Sequence, residues 1–142
     1  MTTIEPVNII ETGMGVQVIR QTSIAYTDFT DNGDTTGYVD LTPQLPAGAI
    51  PLGWKIMVNT GFTGDTSATV QVGVAGDLDR FSAVTDQSVF ATGTVGASAL
   101  GRQGCMDGVA AAQTVRVTVT GAADFTSISA GNMDVELYYV ET

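Results

Sequence analysis

The chain has 142 residues, a formal net charge of −10, no histidine and one cysteine, which excludes His-containing triads, Cys-His dyads, His-ligated haem and zinc fingers within one chain. Its five cations, Arg20, Lys55, Arg80, Arg102 and Arg116, are scattered, so there is no basic stripe for nucleic acid or an anionic membrane. Charged residues make up 14% against the roughly 25% of an ordinary soluble domain, and a lone thiol makes no internal disulfide, so the fold must rest on packing.

In chain order, residues 1–13 read as an extended arm, with Ile4, Val7, Ile9 and Ile10 apolar and Pro6 blocking a helix. The arm lacks a basic segment followed by an apolar stretch, and no apolar run approaches ~18 residues. The expectation is therefore a protein made in the cytoplasm, without a signal peptide or membrane span. Residues 14–142 read as one domain.

Strands are expected near 15–21, 23–29, 36–42, 52–60, 68–75, 88–95, 114–120 and 132–140. Trp54, Ile56 and Val58 alternate with Lys55, Met57 and Asn59, and Val70, Val72 and Val74 with Gln71 and Gly73. Val115, Val117 and Val119 alternate with Arg116, Thr118 and Thr120, and Met133, Val135, Leu137 and Tyr139 with Asp134, Glu136 and Tyr138. Period-two alternation of β-branched residues puts one set on a buried face and the other in solvent. Turn signals separate the runs at 31–34, 46–48, 63–65, 75–77 and 121–124, where Asn, Asp and Gly accept positive φ. The only alanine run, 109–112, is too short for a helix and is led by Gly108. The reading is all-β: an antiparallel two-sheet β-sandwich, jelly-roll-like, with an immunoglobulin-like arrangement as the alternative.

Residues 77–90 mix charged and apolar positions and suit a long crossing loop or a short helical turn. Residues 93–113 are rich in Gly and Ala, and a loop of that length in a compact domain usually serves a partner. Leu100, Arg102 and Met106 in this loop, with Ile4, Val7, Ile9 and Ile10 in the arm, are the candidate contact residues.

Other constellations carry less. The cluster Asp28, Asp31, Asp34 invites a calcium loop, but Thr30 stands third and Val39 twelfth where the EF-hand needs an acid and a bidentate Glu. Turn chemistry explains these aspartates, and no cofactor or metal is assigned. Paired carboxylates for glycoside hydrolysis need convergence, whereas the eleven aspartates fall mostly in turns. Trp54 leads a core-facing alternation, which favours packing over a sugar platform. Cys105 beside Met106 reads as a small apolar residue, and adjacent Tyr138 and Tyr139 face opposite ways.

The runs Ile24-Ala25-Tyr26-Thr27-Asp28-Phe29, Leu52-Gly53-Trp54-Lys55, Val70-Gln71-Val72-Gly73 with Gly76-Asp77-Leu78-Asp79-Arg80-Phe81, Thr114-Val115-Arg116-Val117-Thr118-Val119, and Met133-Asp134-Val135-Glu136-Leu137-Tyr138-Tyr139 stand in an order that resembles small virion proteins of tailed bacteriophages. These are the head decoration, or cement, proteins. The resemblance spans most of residues 20–140 and implies a non-enzymatic structural protein on the capsid exterior. It also implies the major capsid protein as partner and a homo-oligomer, with a trimer expected, and neither nucleic acid nor membrane as ligand. A tail or head-fibre module, or a carbohydrate-binding sandwich, that binds host glycans is the alternative.

Overall fold

A computed structural model describes residues 15–82, 87–98 and 108–141. The strands are β1 (Val16–Ala25), β2 (Thr30–Asp31), β3 (Thr36–Asp40), β4 (Ile50–Thr60), β5 (Ala68–Gly73), β6 (Gln87–Ser88), β7 (Gly93–Ser98), β8 (Arg116–Gly121) and β9 (Asn132–Val140). Two 3₁₀ turns, Tyr26–Asp28 and Phe125–Ser127, are the only helical elements among the described residues. No described helix is long and apolar enough to cross a membrane.

The strands form two antiparallel sheets, one ordered β1-β9-β4-β7 and the other β2-β3-β8-β5-β6. The pairings β1·β9, β3·β8, β4·β7 and β5·β6 nest inside one another. This is a long hairpin with its tip between β5 and β6. Rolling it so that β9 also meets β4, and β8 also meets β5, gives two packed sheets. That is the jelly roll. The same nesting continues where the hairpin bends between sheets. There, Leu45 and Gln113 exchange backbone hydrogen bonds, Gly48 N–H donates to Val109, and Val109 N–H to Ala49.

The alternation read from sequence sorts the faces. Ile19, Trp54, Ile56, Val58, Met133, Val135 and Leu137 from the four-stranded sheet meet Val70, Val72, Val117 and Val119 from the five-stranded one in a single buried cluster. The aliphatic rows of the two inner faces remove their surface from water, at roughly 25 cal/mol per Å². Trp54 Nε1–H donates to the Phe81 carbonyl at 2.9 Å, so the buried indole keeps its hydrogen bond.

Three expectations need correction. The separate strands at 15–21 and 23–29 are one strand ending in a 3₁₀ turn. A bulge between Gln21 and Ile24 breaks its alternation, with Ser23 at φ +56° and its N–H held by Asp134 Oδ1 at 2.8 Å. The strand at 88–95 divides into β6 and β7, which lie in different sheets. The loop assigned to 93–113 begins as a strand: β7 pairs with β4 from Gly93 to Ser98. Its composition hid it, because Gly96 lies so close to β4 that a Cβ there would come within 2.6 Å of the Trp54 carbonyl oxygen. Of 77–90, the first part is a crossing loop anchored in the core. Val74 and Asp77 close a tight turn, buried Phe81 donates its N–H to Val72, and Ser82 Oγ accepts from Val72 N–H.

Candidate interaction surfaces

The contact residues expected from sequence, Ile4, Val7, Ile9, Ile10, Leu100, Arg102 and Met106, lie outside the described residues, as does Cys105. The molecule offers three other surfaces: the outer faces of the two sheets and the end where four loops converge.

On the outer face of the four-stranded sheet the register stacks side chains in rows. Val16 lies opposite Val140, which in turn faces Ile50; Val18 is level with Tyr138 and Gly53; Arg20, Glu136 and Lys55 form the third row; Asp134 and Met57 form the fourth. Val16, Val18 and Met57 are exposed, at 61%, 39% and 43% of their surface. In the third row Arg20 donates through Nε to Glu136 Oε2 at 2.6 Å and brings Nη2 to 2.5 Å of the same oxygen. Lys55 Nζ stands 3.0 Å from Oε1, which also accepts from the Tyr138 hydroxyl at 2.6 Å.

Glu136 is thereby only 9% exposed although it points out of the sheet. Donation from Tyr138, then from Lys55 and Arg20, pulls its carboxyl down to about 2 against the opposing pull of burial. The same contacts push the Lys55 ammonium and the Tyr138 phenol upward.

The outer face of the five-stranded sheet is built differently. Tyr38, Thr118 and Gln71 share one row, Asp40, Arg116 and Gly73 the next, and Thr36, Thr120 and Thr69 lie on the other side. Arg116 clasps Asp40 at 2.8 and 3.2 Å, and its guanidinium carbon lies 3.8 Å over the Tyr38 ring. The Asp40 hydrogen bond raises the Arg116 pKa further. No exposed large hydrophobic residue lies on this face among the described residues.

The third surface gathers the connections 26–35, 61–67, 89–92 and 122–131. Phe29, Phe62 and Phe125 plug it from beneath, with Phe29 ring centroids 5.6 Å from Phe62 and 5.9 Å from Phe125. Its rim carries Asp28, Asp31, Asp34, Asp65 and Asp124 and no lysine or arginine. Each carboxylate is spent on a nearby backbone N–H: Asp28 on Ala25, Asp31 on Gly33, Asp34 on Thr36, Asp65 on Thr66 and Ala123, and Asp124 on Thr126. Donation from Thr36 lowers the Asp34 carboxyl, that from Ala123 lowers Asp65, and that from Thr126 lowers Asp124. Among the described residues no three metal-ligating side chains converge. The acidic cluster seen in the sequence is turn chemistry that leaves one end of the molecule negative.

The aromatic platform loses its principal member, since Trp54 is buried, and Tyr38 lies under Arg116. Tyr139 is buried and Tyr138 lies on the outer face, as their adjacency requires. The outer face of the four-stranded sheet escaped notice as a surface. Its signal was the phase of β1: Val16 and Val18 sit out of step with buried Ile19, in the positions that should be polar.

The chain is thus a jelly-roll sandwich whose distinctive surfaces are two flat sheet faces and an end of capped loops. The sequence matches no family model and no curated protein. In fold it is similar to a chain of the cyanophage Pam1 capsid asymmetric unit, with a TM-score of 0.59 and 22% identity over 92% of this chain and 87% of that one. It is likewise similar to a chain of the capsid of Ralstonia phage GP4, with a TM-score of 0.56 and 20% identity over 89% of this chain and 83% of that one.

Proposed function

We propose that the protein is a structural component of a bacteriophage virion that decorates the icosahedral capsid from outside and stabilises it by binding the major capsid protein lattice. The observation that carries this reading is the shared fold with chains of two phage capsids, over about nine-tenths of this chain in each case. The physical character of the molecule agrees. A valine- and threonine-rich sandwich is a rigid body that needs no reacting group. Its acidic excess keeps free subunits soluble and away from packaged DNA. The 1–13 arm, with Ile4, Val7, Ile9 and Ile10, would anchor by adding a strand to a neighbouring sheet edge. The segment around Leu100, Arg102 and Met106 would contact the shell or a second subunit, and the subunits would assemble as trimers. The glycan-binding reading is the weaker one, because the single tryptophan is committed to the core.

The test is to add the purified chain to undecorated heads and to measure bound copies and the heads' resistance to heat. Saturable binding at a stoichiometry fixed by the lattice, with delayed head disruption, is expected. Removal of residues 1–12 should abolish binding while leaving the thermal transition of the sandwich in place. Heads that take up no protein, or glycans that bind it in their stead, would overturn the reading.

A further inference from the structure

We infer that the outer face of the four-stranded sheet is the seat of this protein on its partner, and that the partner is an apolar protein surface that inserts a carboxylate between Arg20 and Lys55. The inference rests on the decoration reading and adds to it the face and the chemistry of the contact.

Among the described residues, three of the four exposed large hydrophobic side chains, Val16, Val18 and Met57, lie on this face. The fourth, Phe90, is in the loop end, and the opposite sheet has none among the described residues. Methionine, tyrosine and arginine brought together on one face are the residue types enriched at interface centres. The charge pattern says what should meet it. Among the described residues Arg116 faces its own Asp40 and Arg80 its own Asp77, whereas Arg20 and Lys55 share the single carboxylate of Glu136. The next acid on the face, Asp134, is directed to Ser23 N–H and the Asn59 amide. The third row by itself thus carries one surplus positive charge, one row away from Asp134, in a chain of net −10.

Both cations also remain reachable, since the Arg20 side chain is 56% exposed and that of Lys55 42%, while Glu136 lies beneath them at 12%. Glu136 fixes their positions in advance, so an incoming carboxylate meets two oriented donors and little side-chain entropy is left to lose. An acidic, apolar surface would be repelled by the five-aspartate end and drawn to this row.

The experiment titrates undecorated heads with the full chain and with paired substitutions. Arg20→Glu/Lys55→Glu should weaken binding roughly a hundredfold, and the fall of wild-type affinity with added salt should flatten in that variant. Because the charge reversal strands Glu136 and could unsettle the fold, Val18→Ser/Met57→Ser is the companion, since it adds no charge beside the ion cluster. It should lose binding by a similar factor with an unchanged melting temperature. Gln71→Glu/Thr120→Glu on the opposite sheet should bind as wild type does. If wild-type chain binds heads and both four-stranded-face variants bind them equally well, the inference fails and decoration stands. If wild-type chain ignores heads, decoration itself falls and takes the inference with it. If the variants disrupt only self-association in solution, the face joins copies of the chain and the inference is wrong.

Discussion

The two outer faces of the sandwich are built on the same antiparallel pairing, yet they are finished differently. Each lays an arginine across a carboxylate on a neighbouring strand, Arg20 on Glu136 and Arg116 on Asp40. On the five-stranded sheet the pair stands among threonines and a glutamine beside Tyr38, and the aspartate side chain is 40% exposed. On the four-stranded sheet the carboxylate has sunk to 12%, collects three donors, and is bordered by bare Val18 and Met57. A face meant only for water gains nothing from bare valine and methionine, because apolar groups that stay exposed bury no surface in the free monomer. The contrast is between a face finished in polar side chains and one that leaves valine and methionine bare, which is the character the inferred seat requires.

The sharpest way to test that contrast is to remove each carboxylate. Glu136→Ala takes the shared acceptor from Arg20, Lys55 and Tyr138 at once and should cost about 2 kcal/mol, which lies between the effects of exposed and buried pairs. Asp40→Ala should cost about 0.5 kcal/mol, with the Arg116 guanidinium still resting on Tyr38. Urea unfolding at neutral pH measures both, and equal losses would erase the distinction between the faces.

Acid separates them next. Glu136 titrates at about 2 in the folded chain, below its ordinary 4.5. A depressed folded value means the unfolded chain takes up the proton first. The stabilisation is therefore complete above about pH 4.5 and is lost as pH falls toward 2. Wild type should lose stability across that window by more than Glu136→Gln does. Asp34, Asp65 and Asp124, also lowered, will add an acid-sensitive component common to both chains.

A smaller effect of opposite sign belongs to the five-stranded face. Thr118 is wholly buried between Tyr38 and Gln71, and its hydroxyl has no hydrogen-bond partner. Thr118→Val replaces it with a near-isosteric methyl and should raise stability by about 1 kcal/mol. Unchanged or reduced stability in the same unfolding assay would mean that the hydroxyl is satisfied in solution.

The sandwich itself was legible because its signal is local. Strict alternation in 54–58, 70–74, 115–120 and 133–139 follows from burial of one face, and each of those runs is a strand or adjoins one. Nested pairing reads less directly, since valines specify that a face is buried and not which strand lies beside it. β7 was missed because its fitness as a strand depends on a neighbour: Gly96 is needed where the β4 backbone comes close. Likewise, the bulge at Thr22–Ser23 broke the alternation of β1 and divided it in two. The Glu136 cluster could not be read at all, because Arg20 and Lys55 are brought to it by cross-strand register from distant parts of the chain.

The smallest effect is the most discriminating. Val16 is 61% exposed in the free chain, so Val16→Thr exchanges a methyl for a hydroxyl where water already reaches. The cost to folding should be under about 0.3 kcal/mol, within the range of surface substitutions away from special features. If the face is covered when the protein is seated, the same methyl is buried in the complex and the hydroxyl must shed its water there. A lost methyl of that kind is worth about 0.8 kcal/mol, or roughly a fourfold weaker association with undecorated heads. Stability and affinity respond together when a residue acts through the fold and separately when it acts through contact. A fourfold loss of head affinity with an unmoved unfolding midpoint would place Val16 in the contact, and loss of neither would confine the seat to the rows nearer Arg20 and Met57.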